Sequence, residues 1–220
     1  MAAPATANTS ALFTFDLEAC GCSGEIAGCD EVGRGCLAGP IVAAAVVFDY
    51  STLDLEKAGP PLKGLGDSKK LSPAARERLY PVIIRHASRV SITSYTSRTI
   101  DEKGLHKTNL RALARSLETL APCPETALVD GHLPLPDCPV VHRPVKKGDS
   151  RSACIAAASI IAKVTRDRLM RTLHHRYPEY GFDQHVGYST PAHREAIARH
   201  GYCSIHRRSF RCELPVLEES

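Results

Sequence analysis

Asp30 and Glu31 are adjacent carboxylates within the run Gly28-Cys29-Asp30-Glu31-Val32-Gly33-Arg34-Gly35. They end a short apolar stretch and lead into a Gly-Arg-Gly turn, which opens an almost unbroken apolar run from Ile41 to Phe48. Paired negative charge at the tip of a buried strand is costly unless a proton or a cation neutralises it. An oxygen-rich site of this kind suits Mg²⁺ or Mn²⁺. The glycines of the turn let backbone approach a ligand closely. Two further carboxylates stand in comparable places: Asp130 in Val129-Asp130-Gly131, and Asp149 in Lys147-Gly148-Asp149-Ser150 ahead of a long apolar segment. Singly, each has a plainer reading, since Asp-Gly commonly forms turns and Asp149 can simply cap a helix. Together, four converging carboxylates would repel unless metals neutralised them. That set matches the two-ion scheme of phosphodiester hydrolysis, in which one ion activates water and a second, about 4 Å away, steadies the leaving oxygen.

The elements that must position these groups follow from the pattern. Strands are predicted over Glu25–Asp30, Ile41–Phe48, Val90–Ser97, Thr126–Asp130 and Pro139–Val145. The second is apolar on both faces and reads as central, and the prolines of the fifth suggest an edge. Ser72-Pro73 starts a helix that runs to about His86. Thr99 caps a short turn through Glu102, and Leu105, Leu110, Leu113, Leu117 and Leu120 then form one helical stripe, read as core packing. Ser152 to about His175 is a long helix whose first half is small and apolar. Thr190-Pro191 caps a last helix, closed by Gly201. The order of strands and helices implies an α/β fold: a mixed five-stranded sheet flanked by helices, with a small C-terminal helical appendage. In such sheets sites form beyond the carboxyl ends of strands, where Asp30 and Asp130 meet if their strands are parallel neighbours. Adjacent strand residues face opposite ways, so Asp30 and Glu31 share a site only if the strand ends or twists there, which Gly33 permits. Three regions are expected: a flexible N-terminal tail over 1–24, a catalytic domain over 25–176, and an appendage with its tail over 177–220.

Composition narrows the class. The 220 residues are 43% hydrophobic and 24% charged, typical of a soluble globular chain. No stretch approaches the roughly 20 apolar residues of a membrane span, and no secretory leader is evident, so a cytoplasmic location without membrane contact is expected. The nine cysteines include no C-x-x-C pair, which argues for free thiols over a zinc ribbon; Cys20-Gly21-Cys22 is the weaker metal alternative. Net charge is +4, with clusters at Lys69-Lys70, Lys146-Lys147, Arg166/Arg168/Arg171 and Arg207-Arg208. Those clusters fit a polyanionic partner or a solvated basic face equally well.

The segment around Asp30 resembles the signature of ribonuclease HII, the type 2 ribonucleases H. So do Gly66-Asp67-Ser68-Lys69-Lys70-Leu71, Val129-Asp130-Gly131, Lys147-Gly148-Asp149-Ser150, the run Ala156 to Asp167, Tyr180-Gly181-Phe182 to Thr190, and His206-Arg207-Arg208-Ser209-Phe210. The likeness runs in order from about residue 25 to 211 and implies a ribonuclease H-like fold. It implies hydrolysis of the RNA strand of RNA–DNA hybrids, and incision at single ribonucleotides in duplex DNA, leaving 5′-phosphate and 3′-hydroxyl ends. By motif, Asp30, Glu31, Asp130 and Asp149 are carried over as the catalytic carboxylates that bind Mg²⁺ or Mn²⁺. Gly33, Arg34 and Gly35 match the loop that senses the ribose 2′-hydroxyl, the one group that separates RNA from DNA at a nucleotide. Tyr188 matches the tyrosine that packs on the neighbouring deoxyribose. Lys69, Lys146, Lys147, Arg207 and Arg208 are expected phosphate contacts. Val186 stands where the family commonly has Lys, and Cys29 where an aliphatic residue is usual. The expected partners are an RNA–DNA hybrid or ribonucleotide-containing duplex, acted on by a monomer. A replication clamp is a candidate partner, with the tail Leu214 to Ser220 as a place for a docking peptide.

Overall fold

The structure is a computed structural model that describes residues 5–19, 21 and 24–216. Its centre is a five-stranded sheet in the order β3-β2-β1-β4-β5. These strands are β1 (Glu25–Val32), β2 (Ile41–Asp49), β3 (Arg89–Tyr95), β4 (Thr126–Asp130) and β5 (Val141–Val145). β2 lies antiparallel to both β1 and β3, whereas β4 lies parallel to both β1 and β5. The sheet is therefore mixed, as the element order implied. β5 is at an edge, and β2 is interior and buried on both faces, although the middle strand is β1.

β1 does not stop at Asp30. Its ladder with β2 continues through Glu31 opposite Ala43 and Val32 opposite Val42. Its parallel ladder with β4 covers only Ala27 to Cys29. Asp30 and Glu31 thus sit where β1 is still held on one side and has lost its partner on the other. The extra β2 pairing is a long-range contact, which the local apolar pattern could not show.

Helices cover both faces. Long α6 (Ala153–His174) lies on one, together with α1 (Ala5–Ala19) and α3 (Pro73–His86). α5 (Leu105–Glu118) lies on the other, where Leu113, Leu117 and the following Leu120 are buried against Ala27, Cys29 and Val129. The short helices α2 (Leu55–Ala58) and α4 (Ser97–Lys103) lie in the connections on either side of β3. Strand alternation divides β1 between the two cores, with Ile26 toward α6 and Ala27 and Cys29 toward α5. Gly28 is the contact point of α6: a Cβ there would overlap the backbone of Cys154 and Ile155. The small residues Ala156, Ala157 and Ala158 are fully buried and let the helix lie this close.

The N-terminal region differs from its expectation as a flexible tail. Its described part forms α1, anchored by Leu12 and Phe13, which are 1% and 4% exposed. Phe13 packs against Phe48 with ring centroids 6.0 Å apart. Asp16 Oδ2 accepts hydrogen bonds from the Tyr50 hydroxyl (2.9 Å) and the Cys154 amide (2.8 Å), tying α1 to the start of α6. The Ala-, Thr- and Ser-rich composition concealed these three anchors. Cys20 and Cys22 lie outside the described residues, and the described cysteines are free thiols.

After α6 come a 3-10 turn (Pro178–Tyr180), α7 (Phe182–His185) and α8 (Pro191–His200). Tyr180, Phe182 and Ile197 pack with Met170 of α6 and with Leu37 and Ala38. The C-terminal elements therefore close over the loop that follows β1. Among the described residues, no helix is long and apolar enough to cross a membrane.

Candidate active site

Asp30 points to the α6 face and is 6% exposed. Its Oδ1 accepts from the Glu31 amide at 2.7 Å. Burial pushes its carboxyl well above the usual range, and the charges of Glu31 and Asp130 push the same way; a hydrogen bond from Ser159 on α6 opposes them. Glu31 is raised by burial, then lowered by Arg34 and raised again by Asp130. Its Oε1 accepts from Arg34 Nη1 at 3.3 Å. Asp130 ends β4, and its Oδ1 accepts from the Gly148 amide at 2.6 Å. That bond draws in the 3-10 turn Gly148–Ser150, which carries Asp149. Asp149 is 8% exposed, and burial followed by the charges of Asp130 and Asp67 raises it.

Asp130 is thus the hub: its charge is felt by Asp30, Glu31 and Asp149. The four expected carboxylates are brought to one end of the β1–β4 pair. The raised carboxyls of Asp30, Glu31 and Asp149 want a proton or a cation, and the oxygen-only donor set of the four fits a hard divalent ion. Among the described residues, no three Asp, Glu, His or Cys side chains form a ready metal cage. An open arrangement of this kind suits an ion that keeps several waters and is completed by substrate phosphate oxygens. On the α5 side, Glu31 and Asp130 line a cavity of about 80 Å³ with Arg34, His106, Asn109 and His132.

The Gly-Arg-Gly turn is held from below. Gly33 has φ +93°, and a Cβ on it would overlap Arg166 Nε, so only glycine fits. A Cβ on Gly35 would meet nothing of the protein, so its backbone faces open space. Two buried arginines bind the loop through its carbonyls. Arg166 donates to Pro40 O (2.9 Å), Val186 O (2.8 Å) and Ala38 O (3.0 Å). Arg207 donates to Gly39 O from Nε (3.1 Å) and Nη2 (3.0 Å), and to Arg34 O (2.8 Å). Among the described residues, neither pairs with a carboxylate. Burial lowers Arg207 to about 10, which leaves it charged at neutral pH.

Arg207 was expected at a phosphate, yet it is 1% exposed and fully engaged with backbone, so it shapes the loop instead of reaching out. Tyr188 lies beside the loop through a bridge to Cys36. The residue is 38% exposed, with Lys163 Nζ 5.2 Å and Arg166 Cζ 5.9 Å from its ring centroid. Lys69, Lys146 and Lys147 are exposed. Lys69 follows Asp67 in a turn and partly offsets the charge at Asp149. Arg208 is exposed beside Arg98 and Asp101 of α4.

Sequence reasoning missed the supports. Ser68 and Ser159 join hydroxyls at 2.8 Å behind Asp30. Lys163 Nζ donates to Asp167 Oδ1 at 2.8 Å, and Arg76 lies 3.9 Å from the same carboxylate. The signal was present, since Ser159, Lys163, Arg166 and Asp167 are polar residues at helical spacing on a helix whose first half is otherwise small and apolar.

The ribonuclease HII family model matches residues 27–213. This chain belongs to the ribonuclease HII family. It is 47% identical over 195 residues to ribonuclease HII of Geobacillus kaustophilus, covering 89% of this chain and 71% of the relative. It is 50% identical over 189 residues to that of Rhizobium johnstonii, covering 84% and 77%. A solved structure of the PCNA:RNase HII complex from Archaeoglobus fulgidus has a TM-score of 0.71 and 29% identity, covering 87% of this chain and 98% of that one. The fold is therefore ribonuclease H-like, and the chain is a ribonuclease H acting on the RNA of RNA–DNA hybrids. The matched span takes in β1 from Ala27 onward, β4, the Asp149 turn and the loop-closing arginines.

Proposed function

We propose that this ribonuclease cuts the RNA strand of hybrids and also incises at single ribonucleotides in duplex DNA, leaving 5′-phosphate and 3′-hydroxyl ends. Asp30, Glu31, Asp130 and Asp149 hold Mg²⁺ or Mn²⁺, and the observation that carries this is their convergence at one end of the β1–β4 pair, where Asp130 Oδ1 holds the turn of Asp149 through the Gly148 amide and its charge reaches Asp30, Glu31 and Asp149. When bound, a divalent ion supplies an activated water and positive charge for the leaving oxygen. The residues do the rest. Glu31 and Arg34 share a contact that couples the carboxylates to the loop. Gly35 leaves room for a backbone to approach, which suits recognition of a 2′-hydroxyl. Half-exposed Tyr188, flanked by two cations, offers a flat face to a sugar at the RNA-to-DNA junction. The buried charges of Arg166 and Arg207, with exposed Lys69, Lys146, Lys147 and Arg208, favour a polyanion.

The test is cleavage of a duplex carrying one ribonucleotide, with Mg²⁺ or Mn²⁺ added in turn. Cutting at that residue is expected; intact binding with no cutting under either ion would sink the reading. Asp130→Asn should lose turnover while a gel shift shows binding largely kept, because the phosphate contacts remain. The archaeal relative was solved as a complex with PCNA, which supports a sliding clamp as a partner here. The docking segment would be the tail from Leu214, of which residues 217–220 lie outside the described part.

A further inference from the structure

The segment that carries Tyr188 rests on three histidines that the hydrolytic chemistry does not use. His185 and His193 stack with centroids 4.4 Å apart and planes 17° from parallel. His193 and His206 meet Nε2 to Nε2 at 3.1 Å. Two bare ring nitrogens would repel at that distance, so one carries a proton. The outer nitrogens decide which. His206 Nδ1 accepts from the Cys203 amide at 2.9 Å, with the Cys203 thiol sulfur also 3.1 Å away, and the amide N–H places the His206 proton on Nε2. His193 Nδ1 lies 2.8 Å from the Tyr188 carbonyl, which can only accept, so His193 is protonated on Nδ1 and bare on Nε2. The chain runs one way: Cys203 N–H to His206, His206 N–H to His193, His193 N–H to the Tyr188 carbonyl.

A second proton on either ring would break it. On His193 it would set N–H against N–H; on His206 it would face the Cys203 amide. Burial keeps both rings neutral, each pushed down to about 4. Phe182 packs edge-on to His193 (5.4 Å), and Tyr180 edge-on to His206 (4.9 Å), which fixes both planes. His185 is oriented separately, with Nε2 2.7 Å from Tyr180 O and Nδ1 accepting from the Gly187 amide at 3.2 Å.

We propose that His193 and His206 are positioning residues, a one-directional neutral relay that fixes the backbone of Tyr188 and so sets the preference for a single ribonucleotide over a continuous hybrid. This rests on the reading of Tyr188 given above. The readout is the ratio of kcat/KM for a single-ribonucleotide duplex to that for an RNA–DNA hybrid. In His193→Asn the amide nitrogen can stand where Nδ1 stood and still donate to Tyr188 O. In His193→Gln the side-chain amide lies at the far ring position and that donor is lost. The expected outcome is a ratio within about twofold of wild type for His193→Asn and lowered about fivefold or more for His193→Gln, the effect of one hydrogen bond. Equal losses in the two variants would overturn the proposal. Nitrogen-15 spectra of the full-length wild type should show Nδ1–H on His193 and Nε2–H on His206, unchanged from pH 6 to pH 8. Reversed tautomers, or a ring titrating near its ordinary value, overturn the relay whatever Tyr188 does. An unchanged ratio in Tyr188→Ala with the tautomers as assigned overturns the junction reading instead, and with it the specificity half of the proposal.

Discussion

At the scale of single residues, the site depends on groups held in costly states. Asp30 is buried, and the charges of Glu31 and Asp130 add to the burial that raises its carboxyl. Asp30→Asn removes that repulsion and should raise the melting temperature of metal-free protein while abolishing turnover; calorimetry in a chelator checks the first and a cleavage assay the second. Added Mg²⁺ or Mn²⁺ should then stabilise wild type more than the variant, because binding to the native state alone adds stability by mass action. Val186 is a second costly residue, a β-branched side chain at φ 45°. It stays there because its carbonyl is bound by Arg166. Val186→Asn keeps that carbonyl and tolerates the left-handed region, so a gain of about 1 kcal/mol in urea denaturation is expected. The carboxylates were legible as residue types beside glycines. The strain at Val186 was not, because φ follows from contacts with Arg166 and the chain around it.

At the scale of elements, α6 is the part on which the others depend. It passes over β1 at Gly28, where added bulk would meet backbone and not a side chain that could swing aside. Gly28→Ala should therefore cost about 1–3 kcal/mol, read from denaturation midpoints. The start of α6 is held by Asp16, whose carboxyl burial pushes up against its bonds from Ser152, Cys154 and Tyr50. A raised native value means that the native state binds the proton more tightly than the unfolded chain does. Its contribution is full below the unfolded value near 3.9 and is lost as pH rises through the native value. Thermal melts across that window should show wild type losing stability relative to Asp16→Asn as pH increases; parallel curves would contradict this. The starts of α3 and α8 were legible from the caps Ser72 and Thr190, which accept from the Ala75 and His193 amides as expected, whereas α4 starts earlier than expected, capped by Thr96 and not by Thr99. α1 was not, since its anchors are few and their partners lie far along the chain.

Across the whole molecule, the C-terminal elements complete the loop next to the carboxylates. Leu37 N donates to Gly187 O at 2.9 Å, and Arg207 N donates to Leu37 O at 2.8 Å, so residues far apart in sequence form one surface. The buried guanidiniums then satisfy carbonyls that no strand pairs. Arg166→Lys keeps the charge but loses the planar fork, and should cost about 2 kcal/mol of stability and raise KM for the single-ribonucleotide duplex. An unchanged KM would show that the loop holds its shape without Arg166.

The sequence by itself determined the family and the candidate site: four carboxylates at strand ends and turns, glycines between them, and motifs in matching order. These are local, because residue type and spacing along one strand or turn suffice to state them. Only the tertiary structure decided that Asp130 is the hub, that Arg207 is a buried brace and not a phosphate contact, that α1 is anchored, and that histidines from α8 and the C-terminal segment meet beneath Tyr188. Each of these depends on burial and on distances between segments tens of residues apart. Packing sets those quantities, and no local pattern records them.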